Sequence, residues 1–167
     1  MRSGFGKLQW ISFAAALLLP AAGIAQNNNC VWLNEATASG VLGGTVTLEA
    51  QKNEDGGGSC TFHAQKEDAS HVLQIEVHLV KDASQGMTSS EAQCTSPAIS
   101  LKGIGNQAVS CGADAHSALG EQVIGYVRDQ AFVVRITTTG KHDLSLSREL
   151  LLQDARNIAE QVAGSLF

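Results

Sequence analysis

Two prolines, one tyrosine and a 16% share of charged residues leave this 167-residue sequence short of the features that most often mark a function. Eleven basic residues stand against sixteen acidic ones, a formal net charge of −5, so the positive footprint that nucleic-acid binding needs is missing. No Cys-x-x-Cys or His-x-x-x-His pair occurs, and the spacings from Cys30 to Cys60, Cys94 and Cys111 match no zinc pattern. The Gly-x-Ser-x-Gly elbow of many serine hydrolases is absent, and the acidic residues are spread too evenly to single out a general acid and base. No Asn-x-Ser/Thr sequon occurs, which removes N-glycosylation. The composition, 44% hydrophobic, is too apolar for a disordered chain and carries no collagen-like or coiled-coil bias.

What is present begins at the N-terminus. Arg2 and Lys7 precede an apolar run from Trp10 to Leu19, Pro20 breaks it, and Gly23 and Ala25 supply small residues at the −3 and −1 positions of a cleavage site. That order is the grammar of a secretory signal peptide over residues 1–25. The run is about ten residues, half of what a helix needs to cross hydrocarbon. Gln26 to Asn29 precede Cys30 where a lipobox would need small and apolar residues, so acylation is not expected. The expected mature chain, 26–167, is a single domain with a net charge of −7 and no transmembrane segment, placed in the periplasm or secreted. Four cysteines in such a chain read as two disulfides. Of the three possible pairings, the one in chain order, Cys30–Cys60 with Cys94–Cys111, is favoured, each bond worth roughly 3–4 kcal/mol by loop-closure entropy.

Along the mature chain, Leu33 to Leu42 reads as a short helix capped by Asn34 and ended by Gly43-Gly44. Thr45 to Gln51 alternates as a half-buried strand, Cys60 to Gln65 as a second, and His71 to Val80 as a third, with Leu73, Ile75, Val77 and Leu79 facing in. Lys81 to Pro97 is polar and serine-rich, with one helical turn predicted over Ser89 to Cys94. After a tight turn at Lys102 to Asn106, extended structure resumes over Gln107 to Cys111. Glu121 to Arg128 and Ala131 to Thr138 form a predicted hairpin in which Val123, Gly125 and Val127 face Ile136, Val134 and Phe132. An amphipathic helix closes the chain from Leu146 to Ser165. The expected class is α+β: an antiparallel sheet of five or six strands, a short N-terminal helix and a long C-terminal one.

With these pieces in place, the chain resembles a family of small exported domains of unknown function, many of them bacterial lipoproteins. The resemblance rests on Cys30, Val41-Leu42-Gly43, Cys60-Thr-Phe62, the turn from Gly103 to Ala108, and the final helix from Arg156 to Phe167. It implies a PsbP-like α/β/α sandwich and pairing of Cys30 with Cys60. The chain departs from the family in lacking a lipobox and in having a second cysteine pair, and the family has no catalytic residues to carry over.

Several local patterns invite chemistry. Gly103-x-Gly105-x-x-Ala108 matches a dinucleotide fingerprint, but the β-like Val109-Ser-Cys follows it where a helix is needed, so it reads as a turn. His63, His78 and Glu76 on adjacent strands carry ligand types that suit zinc or copper, and read better as scattered surface residues. Glu54-Asp55 ahead of three glycines lacks the alternating ligands of a calcium loop. No metal or cofactor is therefore expected. Tyr126, Arg128 and Arg135 can share the outer face of the hairpin and are the candidate partner surface. The leading expectation is a non-enzymatic exported domain that binds an envelope protein or a small ligand. The alternatives are a hydrolase or metal-dependent enzyme whose site assembles from residues distant in sequence, and an accessory subunit of a cell-envelope assembly.

Overall fold

A computed structural model describes residues 29–54, 56–66, 69–113, 118–139 and 147–167. The expected signal over 1–25, Asp55 of the acidic turn and the predicted helix start at Leu146 lie outside them. Helix α1 spans Glu35–Leu42, with the Asn34 side chain accepting from the Thr37 N–H at 2.8 Å and Gly43 closing it in the left-handed region at φ 72°. Strands β1 (Val46–Lys52), β2 (Gly58–Lys66) and β3 (Ala69–Leu79) follow, then helix α2 (Ala83–Glu91) and strand β4 (Ile99–Leu101). Strands β5 (Gln107–Gly112), β6 (Ala118–Val127) and β7 (Gln130–Thr139) lead to helix α3 (Arg148–Ser165). All pairings are antiparallel, and the sheet runs β1-β2-β3-β7-β6-β5-β4.

The class is α+β, but the expected layout is corrected in three respects. Among the described residues the sheet has seven strands instead of five or six, because residues 99–101 pair as β4 and β5 carries on beside β6. A third helix, α2, forms over Ala83–Glu91, overlapping the single turn expected at Ser89 to Cys94 only in residues 89–91. The first described helix does not open the chain, since it starts at Glu35 after a segment tied down at Cys30. The PsbP-like arrangement therefore does not carry over from the resemblance.

Each strand sorts its residues between two faces with period two. On one face Phe62, Leu73, Ile75, Val123, Phe132 and Val134 form the main core with Ala38 and Leu42 of α1 and the Leu151, Ala155, Ile158, Val162 stripe of α3. On the other face a smaller cluster joins Met87 of α2 to Val109, Cys111, Ile124 and Val133. Thus α1 and α3 pack on the first face, while α2 covers only the β5-β6-β7 half of the second.

The β6–β7 hairpin keeps its predicted faces but not its register. Val123 pairs with Val134 and Gly125 with Phe132, two residues away from the predicted partners. The cause is a two-residue turn at Arg128-Asp129, where Arg128 sits at φ 55° and its N–H donates to the Asn106 side chain at 2.7 Å. A shift of two leaves every side chain on its own face, which a shift of one would not. Gly125 allows the close packing: a Cβ there would stand 2.6 Å from the Phe132 ring.

Candidate functional site

The half of the second face that α2 leaves bare lies over β1, β2 and β3. In register, one row of side chains crosses it: Glu49 beside Thr61, Thr61 beside Gln74, Gln74 beside Arg135, and Arg135 beside Gln122. The row ends at Cys111, whose disulfide to Cys94 brings the end of α2 against β5 (Cα–Cα 5.6 Å). Apolar rows under α2 give way to this polar row at Arg135, so the guanidinium marks the seam between the covered and open halves.

Arg135 is held at two points. Its Nε donates to Gln122 Oε1 at 3.0 Å and its Nη2 to Gln93 Oε1, just past α2, at 3.3 Å. Gln122, 1% exposed, is held in turn, with its amide NH₂ 3.3 Å from the Cys111 sulfur. On the neighbouring strand Gln74 Nε2 donates to Glu76 Oε1 at 2.7 Å, and Glu76 lies 3.6 Å from His78 Nε2. The result is an ordered band of planar polar groups, cationic at Arg135 and anionic at Glu76 and Glu49.

The three hairpin residues expected to form one surface are dispersed. Tyr126 is half-buried against the α2 cluster. Arg128 turns away to the other side, its guanidinium 5.9 Å from the centre of the Phe167 ring beyond α3. Only Arg135 borders the open face, four residues along β7 from the partner of Tyr126, or about 13 Å. Phe167 thus serves as a platform for Arg128 at the hairpin tip. His63 pairs with Val72, six residues along β3 from His78, so the two imidazoles stand about 20 Å apart and cannot share an ion. Among the described residues no group of three His, Cys, Asp or Glu side chains could hold a metal. Gly103 and Gly105 take positive φ values of 84° and 57° in a turn that leads into strand β5, which fits a turn and not a phosphate cradle.

Sequence reasoning missed the residues the tertiary structure buries. Gln122 follows Glu121 and precedes an apolar pair, and gives no signal that α2 will cover it. Glu121, 4% exposed, pairs with Arg148 at the start of α3, whose Nη1 also reaches Gly120 O. His71, 1% exposed, and Thr138 are register partners on the helix-covered face near the same end. Comparison of the chain with protein-family models, curated proteins and solved structures finds no match. No described helix is long and apolar enough to cross a membrane, and the two disulfides, Cys30–Cys60 and Cys94–Cys111, fit an oxidising compartment.

Proposed function

We propose that this is a non-enzymatic exported domain, periplasmic or secreted, that binds a protein of the cell envelope through the open half of its sheet. The observation that carries the reading is the two-point clamp on Arg135. An arginine already ordered by Gln122 and Gln93 loses little freedom when a partner docks, and ordered arginines are frequent anchors. Of the earlier trio, Arg135 alone stays in the proposed surface, joined by Gln74, Thr61 and Glu76. The resemblance to small exported domains without catalytic residues supports the same reading. The buried polar residues point the same way. His71 and Glu121 have almost no exposed surface, and a group that substrate cannot touch does not act on it.

The test is site-specific photo-crosslinking in the native envelope. A crosslinker at Thr61, on the open face, should trap a protein that one at the exposed Gln153 on α3 does not. Arg135→Ala should abolish the Thr61 adduct while leaving the melting temperature within a few degrees. Equal trapping from both positions, or an adduct indifferent to Arg135→Ala, sinks the proposal.

A further inference from the structure

A cavity of about 270 Å³ opens at the β1–β2 end of the sheet. Its walls are Trp32, from the segment before α1, together with Ala50, Lys52 and Cys60 on the two strands and Gly56-Gly57 in the turn between them. Ala50 and Cys60 are register partners that pack with the main core, and Gln51 and Ser59, the next pair along, also line the cavity, so it sits at the end of the β1–β2 ladder. The Cys30–Cys60 disulfide (Cα–Cα 5.7 Å) anchors the Trp32 segment against β2 and so fixes one wall.

The chemistry of the lining is one-sided. Lys52 is the only charged residue among the described residues that line it. The exposed Lys52 ammonium and the half-buried Trp32 indole N–H are both donors on the cavity wall. Half of Trp32 and the Ala50–Cys60 floor supply apolar surface. Among the described lining residues a cation would meet Lys52 and no carboxylate. The volume is at the lower edge of the range for small-molecule pockets, so the occupant is compact.

We propose that this cavity binds a small organic anion with a flat apolar body, its carboxylate paired with Lys52 and its ring against Trp32. The pairing adds a charge-assisted contact to an ammonium that is otherwise solvated, and the indole offers both a stacking face and an N–H. Strand β3 stands between this cavity and Arg135 on β7, and the two proposals are tested separately.

The experiment follows the Trp32 indole N–H cross-peak by NMR. Trp32 is the only tryptophan of the expected mature chain, and Trp10→Phe makes it the only one of the full chain. Titration with benzoate should shift the Trp32 indole and the Gly56 and Gly57 amides along one saturable curve. Benzamide, of the same shape without the charge, should bind about ten-fold more weakly, as expected for the loss of one charge-assisted contact. Lys52→Met should weaken benzoate by a similar factor, and Lys52→Arg should retain it. Absence of saturable shifts overturns the proposal, as does benzamide binding as well as benzoate, a comparison that needs no variant. Benzoate binding unchanged in Lys52→Met overturns it equally.

Discussion

Partial burial on α3 pushes the Asp154 carboxyl above its usual range, because desolvation penalises the charged form. The folded state then holds this proton more tightly than the unfolded chain does. Stability from this group therefore rises as pH falls through its folded value, and the ionised form costs stability at neutral pH. Asp154→Asn should stabilise the fold at pH 7 by no more than about 0.5 kcal/mol for a site only partly buried, read as a small rise in melting temperature. The gain should vanish near pH 3, and thermal melts of both proteins across that range check it. A larger residue effect belongs to Arg148. Its removal leaves the Glu121 carboxylate, 5% exposed at the side chain, without that cation. Breaking a fully buried pair costs roughly 3–5 kcal/mol, and the half-exposed Arg148 brings the expectation for Arg148→Met down to about 2 kcal/mol. Urea unfolding measures it, and a cost within error of zero would show the pair to be idle. Gly125→Ala should cost about 1–3 kcal/mol by the same assay, since the new methyl meets the Phe132 ring and the Gln107 carbonyl.

Elements differ in how much of their stability is local. Helix α3 carries its own signals: Ser147 accepts from the Leu150 N–H at 3.3 Å, and an apolar stripe recurs at helical spacing from Leu151 to Ala163. The strand β3 alternates from Ala69 to Val77, and its last residue, Leu79, departs from the pattern by lying 42% exposed where the sheet runs out of cover. Helix α2 has little of its own. Its sequence, with three serines and a glycine in nine residues, is poor in helix formers, and Met87 supplies its packing against Val133 and Ile124. At eight residues α1 is equally short, and its cap is a larger share of what holds it. Asn34→Ala should therefore destabilise by about 1 kcal/mol, read as a fall in melting temperature with an unchanged unfolding slope.

For the molecule as a whole, the two disulfides tie together parts that the sheet does not. Cys30–Cys60 closes 30 residues and pins the segment before α1, and Cys94–Cys111 closes 17 and pins the end of α2. On loop-closure entropy alone the two differ by well under 1 kcal/mol, each worth roughly 3–4. Their structural consequences differ more. Replacing Cys94 and Cys111 by alanine should loosen α2 and the Gln93 contact to Arg135, and so weaken the open-face binding. Replacing Cys30 and Cys60 should spare that face and release the Trp32 wall of the cavity. Hydrogen exchange on the two double variants separates them: faster exchange confined to α2 in the first, and to residues 30–34 and the β1–β2 turn in the second. The opposite pattern would contradict the division of the molecule drawn from the sheet order.

Local chemistry determined a good deal without the fold. The alternation in β3, the cap of α1 and the stripe of α3 are legible, because period, capping and turn residues act within a few positions of one another; the cysteine pairing follows chain order. The face assignments of the hairpin are legible for the same reason, since they depend only on parity. What the sequence did not determine is what covers each face. Alternation places Gln122 and Arg135 together on one side of the sheet, yet only the packing of α2 makes Gln122 buried and Arg135 clamped. The same holds for Tyr126, Arg128 and Arg135, which share a short stretch of chain and end in three surroundings. The tertiary structure decided these points, because α2 lies in a polar, serine-rich stretch and the β6–β7 register depends on Asn106 binding a turn 22 residues away. Contacts so distant along the chain leave no periodic trace in it.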